Sequence, residues 1–190
     1  MSNPRAVIEF WYSQRARPLW FEKDTAFDEE IRSRFGADIH AAQLGAFDEW
    51  RATPMGTLAL LILLDQMSRN IYRGEAKAFL GDVRALGVAD AALKRGDDKG
   101  FDFEQRRFFY LPFEHAEDMA NQERSIQLFT QLYEETPAQD RARAEEQLDY
   151  AHRHRDIIKR FGRYPHRNAA LGRPSTEAET EFLKGPGSSF

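Results

Sequence analysis

The chain has 190 residues, of which 42% are hydrophobic and 31% charged, with a net charge of −4 and no cysteine. That composition suits one globular domain over residues 1–190 with a full core, and it argues against a disordered chain. The missing cysteines exclude disulfides, thiolate metal sites and a cysteine nucleophile, while the lack of any long apolar run excludes a membrane span or a signal core and points to the cytoplasm.

Helical periodicity runs through the chain, and no period-two strand pattern competes with it. Asn3-Pro4 joins a capping residue to Pro at the first helical position and predicts a helix carrying Val7, Phe10 and Trp11. Pro18-Leu19-Trp20-Phe21 interrupts the pattern. Asp24 then caps a helix in which Phe27, Ile31 and Phe35 recur every four residues up to Gly36, and a short helix through Ala41 to Leu44 stops at Gly45. Thr53-Pro54 opens the central helix. Its Leu58 to Leu64 stretch is apolar on every side, and a helix without a polar face is surrounded by protein.

Gly74 ends this helix, and Glu75 to Arg95 supplies the next, closed by Gly96. Phe103 to Tyr110 is helical up to Pro112, which ends or kinks it. Helices over Pro112 to Glu135 and from about Pro137 to Arg160 follow, then an ordered turn from Gly162 to Asn168. Ser175-Thr176-Glu177 starts a last helix to Leu183. The Gly/Pro/Ser tail reads as disordered, with Phe190 able to dock. No repeat consensus at the tetratricopeptide period is present, and no linker divides the chain.

Polar residues stand out against this apolar background. Asp65 and Arg69 share a helical face with Leu58 and Ile62 and lie four residues apart, so an ion pair between them is expected. A buried Asp is costly unless paired. The pair either fixes the helix end or lets Asp65 hold Arg69, so that Arg69, Asn70 and Arg73 present donors to a ligand. His115, one turn into the helix that Pro112 starts, shares a face with Met119, Gln122, Ile126 and Tyr133. Asp149, His152, Asp156 and Arg160 make a tidy stripe, but it lies opposite Tyr150, Ile157, Ile158 and Phe161 and is the solvated face. His154 falls on the apolar side and points into the core or a pocket.

Between His152 and Arg173 the chain has six Arg and one Lys against one Asp, a net +6 that leaves −10 for the rest. Aromatics and Pro break up these basic residues and the acidic remainder repels polyanions, so no nucleic-acid partner is expected. The turn holds Arg163, His166, Arg167 and Asn168 beside a helix end. Cations there suit the helix dipole and can cap its last carbonyls, yet so many donors in one segment also suit an anion. No H-E-x-x-H, paired E-x-x-H, Walker loop or hydrolase elbow occurs. Neither a metal ion nor any other cofactor is expected.

Three segments, Leu64-Asp65-Gln66-Met67-Ser68-Arg69-Asn70-Ile71-Tyr72-Arg73-Gly74, Tyr110-Leu111-Pro112-Phe113-Glu114-His115-Ala116-Glu117 and Phe161-Gly162-Arg163-Tyr164-Pro165-His166-Arg167-Asn168, resemble the bacterial family 924 of proteins of unknown function. The likeness extends from Phe10-Trp11-Tyr12 to Pro186-Gly187-Ser188-Ser189-Phe190. It implies an all-α fold of antiparallel helical hairpins stacked like tetratricopeptide repeats, and names no activity. Two functions fit the residues. In one, Arg69, Asn70, Arg73, His115, Gln122, His154, Arg163, His166, Arg167 and Asn168 line one pocket for a small carboxylate or phosphate, with histidine moving protons. In the other, a tetratricopeptide-like scaffold clamps a peptide carboxylate.

Overall fold

The computed structural model describes residues 2–188, and every regular element among them is helical. The described residues group into two compact units, 2–73 with 77–112 and 74–76 with 113–188.

In the first unit, Asn3 accepts from the Ala6 amide at 2.9 Å and starts α1 (Pro4–Trp11), as Pro at the first turn allows. Asp24 caps α2 (Thr25–Gln43) on Phe27. Gly36 was expected to end this helix, with a separate short one after it. Instead α2 runs straight through, its buried Phe27, Ile31, Phe35 and Ile39 outweighing the roughly 1 kcal/mol that a mid-helix glycine costs.

Thr53 caps α3 (Pro54–Leu61), which continues as a π-helical turn over Ile62–Met67 and then α4 (Ser68–Ile71). Leu58 through Leu64 are wholly buried. The π turn shifts the helical register at the point where the polar residues begin. Asp65 is buried, and Arg69 Nη1 lies 3.2 Å from its carboxylate. The same guanidinium forks onto Asp82 at 2.9 and 3.1 Å. Asp82 opens α5 (Asp82–Arg95), so the single helix expected over Glu75 to Arg95 is in fact a 3-10 turn at Ala76–Phe79 followed by α5. Gly81 makes this possible: a Cβ there would stand 2.6 Å from the Leu64 carbonyl oxygen. Trp11, Trp20, Phe27 and Phe108 complete the core, with Trp11 and Trp20 stacked at 5.8 Å.

α6 (Phe103–Glu114) carries Pro112 inside its last turn rather than ending before it. Its final residues, Phe113 and Glu114, belong to the second unit. A four-residue turn, 115–118, separates α6 from α7 (Met119–Glu135), which Asp118 caps on Asn121. His115 is therefore a turn residue and not part of the helix that Pro112 was expected to start. α8 (Arg141–Phe161) follows a short 3-10 turn and runs back along α7, since Arg155 of α8 reaches Glu123 near the start of α7. Ala151, His154, Ile157 and Ile158 form its buried side, whereas Tyr150, expected there, is exposed. Gly162 ends α8 at φ 71°, a left-handed conformation that favours glycine. A reciprocal Thr176–Glu179 capping box starts α9 (Glu177–Phe182). Ser188 bonds the Leu183 carbonyl, and Phe190 lies outside the described residues.

Candidate functional site

The end of α6, the start of α7, the end of α8 and the Gly162 to Asn168 turn all belong to the second unit, and they meet around Tyr164. Its ring is fully buried. The hydroxyl donates to the Glu114 main-chain carbonyl and accepts from Gln122 Nε2 at 2.9 Å. Burial drives this phenol well above the ordinary tyrosine range, against the pull of the nearby Arg167 charge, so it stays protonated and serves as a fixed donor.

Basic side chains pack on this ring from three directions. The His154 imidazole meets it edge-on at 5.6 Å, His166 tilts against it at 5.6 Å, and the Arg167 guanidinium carbon sits 4.4 Å from the ring centre. His115 lies 6.1 Å from His154, ring to ring. Arg167 is buried despite its charge, a position that the π face makes less costly.

His154 is the focus of the group. Its Nδ1 lies 2.8 Å from the Tyr150 carbonyl oxygen, which fixes the proton on Nδ1 and the lone pair on Nε2. Burial, then the charge of His115, hold it well below the usual histidine range; the Tyr150 carbonyl opposes this, and Arg167 and His166 add to it. The Glu114 carboxylate lies 3.4 Å from Nδ1.

Glu117 has a different role. It accepts the Tyr164 amide at 2.8 Å and the Arg173 fork at 2.6 and 3.0 Å. Burial alone would raise its carboxyl, but Arg173, the Tyr164 amide and Arg167 outweigh that and keep it below the usual glutamate range. Gln122 is wholly buried and ties the α6–α7 turn together, its Nε2 donating to the Glu114 and Ala116 carbonyls at 2.7 and 2.8 Å.

Of the residues expected to form one pocket, His115, Gln122, His154, His166 and Arg167 gather here. Asn168 and Arg163 lie in the same unit but hold the chain in place. Asn168 bonds Ser175 and Arg173, and Arg163 forks onto Glu179 at 2.6 and 2.8 Å while also reaching the Pro174 carbonyl. Arg163, with the Thr176 amide, pushes the Glu179 carboxyl down to about 2. Arg69, Asn70 and Arg73 belong to the first unit. Arg69 serves Asp65 and Asp82, while Asn70 and Arg73 both hold Asp28, Arg73 at 2.6 Å.

Glu114, Glu117 and Tyr164 do not stand out as site residues in the sequence. Two of them flank His115 in the Tyr110 to Glu117 segment and the third sits in the Phe161 to Asn168 segment, so the signal was their place within those motifs. What concealed it was Pro112: on a helix starting there Glu117 projects away from the His115 side, toward a neighbouring element or water.

The family model described as "Bacterial protein of unknown function (DUF924)" matches residues 7–187, and the chain belongs to that family. A solved structure of a protein of unknown function from Agrobacterium tumefaciens is similar at 39% identity, with a TM-score of 0.81 over 96% of this chain and 97% of that one. No curated protein matches. No helix among the described residues is long and apolar enough to cross a membrane.

Proposed function

We propose that this member of a family of unknown function holds a small anion, a carboxylate or a phosphate, in its second unit, with Arg167, His166 and His115 as donors and neutral His154 as a base beside them. The observation that carries this reading is the packing of His154, His166 and Arg167 on the one Tyr164 ring, with His115 next to His154. Charge-assisted bonds from such donors in a buried setting are stronger than those at an exposed surface. Glu117, forked by Arg173, also feels the Arg167 charge. His115 and His166 are only partly buried and give solvent a way in. A tetratricopeptide-like scaffold gripping a peptide carboxylate draws support from the α7–α8 hairpin, but the buried position of Arg167 favours a small ligand.

Thermal melts in EDTA with inorganic phosphate or a small carboxylate test this. Binding raises the melting temperature by mass action. His166→Ala and Arg167→Gln should remove that gain, while Arg163→Ala should leave it in place. A gain unchanged in both His166→Ala and Arg167→Gln would overturn the reading.

A further inference from the structure

We infer that Glu114, His115 and His154 bind one divalent transition-metal ion, which takes the place of the His115 donor and the His154 base in the reading above, and that this ion and Arg167 together hold the anion. The anion half rests on the function proposed above; the metal half stands on its own geometry. One ligand atom from each residue lies within 4.8 Å of the other two. Bonds of about 2.0–2.2 Å to a zinc-like ion place neighbouring ligand atoms about 3–3.5 Å apart, so the three need to close by about an ångström. His115 lies on the turn between α6 and α7.

The supporting bonds are those of a metal site. Ligating histidines commonly fix one nitrogen on a carbonyl and turn the other to the ion; His154 Nδ1 lies 2.8 Å from the Tyr150 carbonyl and 3.4 Å from the Glu114 carboxylate, which leaves Nε2 for the ion. The backbone that carries Glu114 is pinned at its carbonyl by Tyr164 and Gln122. Gln122 adds an independent sign. Its Oε1 is buried and meets no hydrogen-bond donor among the described residues, an uncommon state for a buried acceptor. The amide that carries it touches both the Glu114 carbonyl and the Tyr164 hydroxyl, and a water bound to the ion would supply the donor it lacks.

Two imidazoles and a carboxylate suit zinc, cobalt or iron(II), whereas magnesium and calcium prefer all-oxygen sets. Three protein ligands leave coordination positions open. An anion oxygen bound there offsets the ion's charge beside Arg167, so metal and anion should each strengthen the other's binding by the same factor.

The test is titration of EDTA-dialysed protein with cobalt(II), followed by calorimetry and visible absorption, then repeated with inorganic phosphate. One equivalent should bind, more tightly when phosphate is present. Glu114→Gln and His115→Ala should each weaken cobalt at least tenfold, with folding checked by circular dichroism, and His152→Ala on the same helix should bind as the parent does. His115→Ala keeps the test valid even if buried Glu114 tolerates no change. Absence of stoichiometric cobalt binding by the folded parent, undiminished binding by His115→Ala, or an equal loss in His152→Ala would each overturn the metal site. If cobalt fails while phosphate still raises the melting temperature in EDTA, only the metal falls; if cobalt binds but phosphate has no effect with or without it, the anion reading falls instead.

Discussion

Arg69 and Arg73 of the first unit and Arg167 of the second meet different surroundings. In the first, Arg69 and Arg73 reach Asp65, Asp82 and Asp28, and their forks close on carboxylates within the fold. In the second, Arg167 lies on the face of a tyrosine between histidines. An arginine with a carboxylate in its fork braces the chain; one packed on a π face is held by the ring as well. The side chain is the same, and its neighbours decide what it does.

Removing Asp65 should have the largest effect. Asp65→Ala takes a buried carboxylate from a partly buried cation and an acceptor from Gln66, and should cost about 3 kcal/mol in urea unfolding, the low end for a broken buried pair because Arg69 keeps Asp82. A loss below about 1 kcal/mol would mean that Asp82 alone satisfies Arg69. Arg73→Ala should cost less, about 1 kcal/mol, since that side chain is partly solvated. It should also leave the phosphate-induced rise in melting temperature unchanged, whereas Arg167→Gln removes it. Any dependence of the phosphate effect on Arg73 would erase the distinction between the two sets of arginines.

The smallest effect is one of pH. The Glu179 carboxyl sits at about 2 in the folded chain against an ordinary 4.5, so it binds fewer protons folded than unfolded. Its contribution is complete above pH 4.5 and fades as the pH falls towards 2. Arg163→Ala should therefore melt a few degrees below the parent at pH 6, with the gap narrowing through pH 3 and closing near pH 2, by calorimetry. Glu117 titrates in the same direction and keeps Arg173 in both proteins. A gap that does not narrow between pH 4.5 and pH 2 would show that Arg163 acts through the Pro174 carbonyl instead.

The sequence by itself determined the helical class, the starts at Asn3, Asp24, Thr53 and Thr176, the burial of Leu58 to Leu64 and the inward side of α8 at His154. These are local matters: a cap acts over three residues and an apolar face repeats every 3.6. It erred at Gly36 and Pro112, where packing outweighed the cost of a poor helix residue, and the second error turned His115 onto a helix it does not occupy. Only the tertiary structure decided which polar groups meet. Gln122 reaches Tyr164 across 42 positions and Arg173 reaches Glu117 across 56. Hydrogen bonds and ion pairs are short-ranged and carry no trace of such spacing in the chain, so the pairing of Arg69 with Asp82 and the packing of Arg167 on Tyr164 became legible only once the helices had packed.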